Sequence, residues 1–204
     1  TFLTSIFLGF SMGAGALFSI YYGKGDKKAL SEAITQGFLL NMGVTIVVNV
    51  MVYMLLEKLL VWLQIPAEVM DGMRQYLLII FAGLIASSVY NFFACMLRAL
   101  GNSLVPLVFL GVSTVLNVGL DILFLVPFRM GPAGAAIATV SSQILVFVVM
   151  VLRIRHSRLE PNVLQHLNLL SVFPKEYYKH IFRIGFPTAI QGSIYCFISM
   201  VLTR

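Results

Sequence analysis

Residues 104–127 read LVPLVFLGVSTVLNVGLDILFLVP, an apolar run holding one charged side chain, Asp121. A hydrocarbon core about 30 Å thick takes roughly 20 residues of helix to cross. Inside it no water satisfies backbone N–H and C=O groups, so a helix is the form expected of such a run. Working outward, five further stretches of comparable length, 1–23, 33–56, 75–97, 130–152 and 184–203, carry no charge at all. The pattern predicts six transmembrane helices, over 2–22, 33–55, 75–97, 104–127, 132–152 and 182–203, and hence an all-α membrane protein.

The whole composition agrees. Of 204 residues, 59% are hydrophobic and 11% charged, whereas a soluble chain carries about 25% charge. This excludes a soluble enzyme, a nucleic-acid-binding domain and a disordered segment. The unbroken apolar runs exclude an outer-membrane barrel, whose strands alternate. The chain is expected to be a piece of a longer protein, because Thr1 opens directly into a hydrophobic run and Arg204 follows the last one.

The net charge of +6 is an orientation signal. The connections near 24–32 and 98–103 and the stretch from Arg153 to Arg183 hold ten basic residues, and the remaining connections with Arg204 hold four. By the positive-inside rule the richer set is cytoplasmic, in a multi-pass protein of the cell (plasma) membrane whose first partner is the lipid bilayer. The longest connection, 154–181, mixes bases with Val163, Leu164, Leu167, Phe173, Tyr177 and Tyr178. It reads either as a strap on the cytoplasmic interface or as a solvated linker between two bundles.

Motifs of other chemistries are missing. There is no G-x-x-x-x-G-K-[ST], H-E-x-x-H or G-x-S-x-G, so neither an ATP motor nor a hydrolase is expected, and no cofactor. His156, His166 and His180 lie along the 154–181 connection without nearby cysteines. Cys95 and Cys196 fall within apolar runs, where a free thiol behaves as a small hydrophobe.

A carboxylate at bilayer depth is costly and marks a functional candidate. Asn117 precedes Asp121 by four residues, which sets both on one helical face. The short turn Phe128-Arg129-Met130-Gly131 makes the next helix an antiparallel neighbour. Asp121 lies seven residues before Phe128 and Thr139 seven after Pro132, so each is about 10 Å below the outer boundary. Carboxylate, amide oxygen and hydroxyl without thiolate or imidazole suit a hard monovalent cation or a proton. Either a proton or a bound cation would neutralise such a carboxyl, so Na⁺ and H⁺ would compete for one site.

Other polar positions are less specific. Asn41, Thr45 and Asn49 form an i, i+4, i+8 stripe, which helix–helix hydrogen bonding explains as well as a solute path does. The glycines of Gly9-x-x-x-Gly13-x-Gly15 and Gly131-x-x-Gly134 suit close helix packing rather than phosphate binding. The ten Met and sixteen Phe read as core or lipid-facing filler, with a promiscuous cavity lining as the alternative.

The chain resembles the multidrug and toxic compound extrusion (MATE) family of transporters. The resemblance rests on Gly13-Ala14-Gly15, Leu97-Arg98-Ala99-Leu100-Gly101-Asn102 and Leu116-Asn117-x-x-x-Asp121. Gly131-x-x-Gly134-Ala135-Ala136-Ile137-Ala138-Thr139, Ser142-Gln143 and Ile184-Gly185-Phe186-Pro187 continue it. It implies that the chain spans the second to seventh of twelve helices of a two-lobe transporter. Residues 1–153 would be the amino-terminal lobe without its first helix, 154–181 the inter-lobe strap, and 182–204 the first helix of the carboxyl-terminal lobe.

The implied activity is antiport, with inward Na⁺ or H⁺ driving export of drugs or other organic, often cationic, compounds. The implied ion site comprises Asn117, Asp121, Thr139 and the backbone carbonyl of Ala135, with a further carboxylate on a helix this chain lacks. Asn91 and Gln143 resemble cavity-lining positions. Gln191 stands in a helix where some members place a Glu, which argues against a carboxyl-lobe ion site of that kind. The rival readings are a lipid-linked precursor flippase of the same superfamily and a non-transporting scaffold or channel subunit. The flippase's anionic substrate would favour Lys or Arg inside the helices, and the helical interiors predicted here contain none.

Overall fold

The structure, a computed structural model, describes residues 2–62, 67–156 and 175–202. Six helices account for nearly all of them: α1 Phe2–Gly23, α2 Lys27–Trp62, α3 Ala67–Ala99, α4 Leu104–Leu125, α5 Gly131–His156 and α6 Lys175–Leu202. The expected helices are all present, but several are longer than their apolar runs. α2 begins six residues earlier and ends seven later than expected, and α6 starts at Lys175 instead of 182. Hydropathy detects only the lipid-buried length, and a helix continues past it wherever the polar flank has good helix formers. Lys27–Lys58, Val69–Ala99, Leu104–Leu125 and Gly131–Met150 are long and apolar enough to cross a membrane.

Two of the turns use the same device. Gly25 (φ 70°) and Gly101 (φ 84°) take left-handed conformations just past α1 and α3. There Asp26 N–H reaches back to Tyr21 O at 3.2 Å and Asn102 N–H to Leu97 O at 2.9 Å, closing each helix end with a six-to-one bond. The following helices are capped at once: Asp26 Oδ1 accepts from Ala29 N–H and Asn102 Oδ1 from Val105 N–H.

α1 lies against α2, α3 and α6, while α3 also packs on α2 and α5, and α4 rests mainly on α5. Where α1 and α6 cross, a Cβ on Gly13 would stand 2.7 Å from Gly185 N and 2.9 Å from Ile181 O. Only glycine permits this backbone-to-backbone approach. Ser5 faces Gly192 farther along, so the two helices run antiparallel. Thus the helix after the 154–181 connection is seated on the first one. Of that connection, 157–174 lie outside the described residues, and the part from Lys175 onward is α6.

The core is aromatic on one side and polar on the other. Phe18, Phe38, Phe92 and Phe93 meet edge-on or tilted at centroid distances of 5.5–6.0 Å. Ser11, Asn41, Thr45, Asn49 and Ser88 are buried between α1, α2 and α3, while Val47, Met54, Leu104 and Val115 stand exposed. Large apolar side chains on the outside, with these polar ones hidden between helices, are what a lipid solvent selects. The polar atoms are joined: Ser11 Oγ donates to Asn41 Oδ1 at 3.3 Å, and Asn41 Nδ2 to Ser88 Oγ at 2.8 Å. Thr45 Oγ1 lies 2.6 Å from Ser88 Oγ, and Asn49 Nδ2 donates to Phe81 O at 2.6 Å. The Asn41–Thr45–Asn49 stripe is therefore a helix-joining seam.

Candidate cation site

The site lies between α4 and α5. The left-handed residues Arg129 (φ 49°) and Gly131 (φ 61°) turn the chain through the short connection, and Met130 N–H closes on Phe124 O at 3.1 Å. The two helices are antiparallel neighbours, as the length of the turn implies. Asn117 Nδ2 donates to Thr139 Oγ1 at 3.3 Å, and Thr139 Oγ1 donates to Ala135 O at 3.0 Å. Three of the four expected site residues are thus in one hydrogen-bonded chain.

The register differs from expectation by one turn. Asn117 is the residue level with Thr139, and the antiparallel count therefore places Asp121 level with Ala135, nearer the turn between the two helices. The expectation of Asp121 beside Thr139 assumed that α4 continues to 127, whereas it ends at Leu125. Asp121 remains on the Asn117 face. Its residue is half-buried, yet Oδ1 is inaccessible and has no hydrogen-bond partner among the described residues.

A buried carboxylate oxygen without a donor is an unsatisfied acceptor, and such an atom calls for a cation, a proton or a water. Within about one helical turn of Asp121 lie the Ala135 carbonyl, the Thr139 hydroxyl and the Asn117 amide oxygen. That donor set is all oxygen and singly negative, and it suits Na⁺ or H⁺ better than a divalent or soft metal.

Asn91 and Gln143 are both half-buried and meet at one residue that sequence reasoning missed, Ser87. Asn91 Nδ2 donates to Ser87 O at 2.9 Å, and the Ser87 hydroxyl hydrogen-bonds Gln143 Oε1. Nothing in the sequence separates Ser87 from the adjacent Ser88 except its place four residues before Asn91, because its partner is 56 residues away.

The MatE family model matches residues 1–123. The chain belongs to the MATE family. It is 33% identical over 188 residues to a probable multidrug resistance protein, YpnP, of Bacillus subtilis, covering 92% of this chain and 41% of that one. It is 27% identical over 195 residues to a probable multidrug resistance protein, NorM, of Thermotoga maritima, covering 91% of this chain and 40% of that one. An inward-facing MATE transporter of the MOP superfamily superposes with a TM-score of 0.85 at 19% identity, over 94% of this chain and 43% of that chain. The fold is therefore part of the MATE transporter fold, and the chain spans about two-fifths of the length of these relatives. It is a multi-pass membrane protein of a transporter family, and not an enzyme.

Proposed function

We propose that the full-length protein is a secondary active antiporter of the plasma membrane. It exports drugs or other organic, often cationic, compounds in exchange for Na⁺ or H⁺. In this reading all six helices cross the bilayer, with the 24–32, 98–103 and 154–181 connections cytoplasmic. The 154–181 connection joins an amino-terminal lobe to α6, the first helix of a second lobe. The relatives' description as multidrug resistance proteins supports the substrate class.

The observation that carries the coupling is the orphaned Oδ1 of Asp121 beside the Asn117–Thr139–Ala135 chain. An ion there does work only if it binds one state better than the other, since equal affinity shifts no equilibrium. Na⁺ or a proton satisfies the Asp121 oxygen and draws α4 and α5 together, and its release frees them. Asn91 and Gln143, deeper between α3 and α5, offer amide groups to a solute in the cavity.

The test is Asp121→Asn in the full-length protein, reconstituted into vesicles with Na⁺ and pH gradients imposed separately. The neutral isostere should abolish ion-driven efflux of an organic cation while leaving the protein folded. Efflux at the wild-type rate would refute the reading.

A further inference from the structure

The geometry points to Ser87 as a positioning residue for the cation site, acting through Gln143 without touching the ion; this rests on the site proposed above. Two of the contacts between α3 and α5 bear on the site. At the first, a Cβ on Gly83 would collide with the Val140 side chain, so the missing side chain of Gly83 makes room for Val140. One turn on, the Ser87 hydroxyl hydrogen-bonds Gln143 Oε1. The paired residue numbers ascend together on both helices, so α3 and α5 run in the same direction.

The two contacts do different things. Packing of Val140 on Gly83 sets how close the helices come, but a smooth apolar contact resists rotation and sliding weakly. A directional hydrogen bond resists both. Gln143 follows Thr139 by four residues, so the two side chains occupy adjoining turns of one face of α5. Any rotation of α5 that parts Gln143 from Ser87 also turns Thr139 away from Asn117, its partner at 3.3 Å.

Ser87 itself is held in place. The adjacent Ser88 is buried on the other side of α3, where Asn41 Nδ2 donates to it and the Thr45 hydroxyl lies 2.6 Å away. Asn41 in turn accepts from Ser11 on α1. The serine pair thus joins two polar systems: Ser88 anchors α3 to α1 and α2, and Ser87 passes that anchor to the helix bearing Thr139. Asn91 Nδ2, on Ser87 O, supports the same turn of α3.

The test uses purified full-length protein and reads ion binding directly. Na⁺ is titrated for its stabilisation of the protein, and pH is titrated in parallel. Ser87→Ala should raise the half-saturating ion concentration about fivefold, the factor expected for one hydrogen bond. Ser87→Thr, which keeps the hydroxyl, should restore it. Gln143→Met, similar in length but without the amide, should give the same rise, and the double variant should be no worse than either single one.

A merely structural role lowers the melting temperature without moving the half-saturating concentration. The inference is overturned if Ser87→Ala and Gln143→Met bind the ion as the wild type does, if Ser87→Thr fails as Ser87→Ala does, or if the two effects multiply. Should Ser87→Ala not fold, Gln143→Met and Ser87→Thr decide the matter alone. Asp121→Asn keeps the two levels apart. Ion binding surviving in that variant refutes the site, whereas its loss there with normal binding in Ser87→Ala refutes only the positioning role.

Discussion

Gly13 and Gly15 sit two residues apart on α1, and replacing each with alanine separates sterics from helix propensity. Both changes gain the same intrinsic preference, about 1 kcal/mol in favour of alanine. Their surroundings differ. A Cβ at Gly15 would meet Cys95 O at 3.6 Å and Cys95 Cβ at 3.8 Å, which is ordinary contact. A Cβ at Gly13 would stand 2.7 Å from Gly185 N, 2.8 Å from Gly185 Cα and 2.9 Å from Ile181 O, all backbone atoms of α6. Backbone cannot rotate out of the way, so the helices must part by about 0.7 Å to bring 2.7 Å up to 3.4 Å. Overpacking of this kind costs about 1–3 kcal/mol. Gly15→Ala should therefore be neutral or stabilising, and Gly13→Ala should be less stable than Gly15→Ala by about 1–3 kcal/mol. Thermal unfolding of the two full-length variants in the same detergent measures the difference. Equal stability would show that α1 and α6 do not cross backbone to backbone, and would refute the packing described.

Other substitutions probe the remaining contacts. Asn41→Leu removes the side-chain bonds to Ser11 and Ser88 at once and should cost about 1–2 kcal/mol, read by the same unfolding assay. Gly83→Ala should destabilise through Val140, and adding Val140→Ala should recover most of the loss in the double variant. Thr139→Val preserves shape but deletes the hydroxyl between Asn117 and Ala135, so the half-saturating Na⁺ or H⁺ concentration should rise while the protein stays folded. Arg74 and Glu57 form an ion pair at 2.5 Å, but their side chains are 54% and 64% exposed. Arg74→Gln should accordingly change stability by less than about 1 kcal/mol.

The helices were legible because hydrocarbon imposes a length on each charge-free run, and the short 128–131 turn made α4 and α5 neighbours. Their ends were not legible. The polar residues 27–32 at the start of α2 and 175–181 at the start of α6 are helical outside the apolar runs, where hydropathy carries no signal. Among the candidate site residues, Asn117 and Asp121 were visible from their four-residue spacing, and Thr139 from the turn that brings α5 back along α4. The one-turn offset between Asp121 and Thr139 was not, because it depends on where α4 ends. Ser87 was invisible for a different reason: a hydroxyl in an apolar run is common, and its meaning comes wholly from a partner on another helix.

Three things can be read from the residues alone: the chain is helical and built for a membrane, its basic residues gather in alternate connections, and one acid interrupts an apolar run. Each of these follows from the solvent: lipid penalises charge and unpaired backbone whatever the packing. Which helix touches which emerges with the packed bundle. It seated α6 on α1 through two glycines, put the Asn41 stripe into a seam with Ser11 and Ser88, and left Asp121 Oδ1 without a partner among the described residues. In lipid the hydrophobic effect does not choose helix partners, so the choice falls to close packing and to hydrogen bonds between residues far apart in the chain.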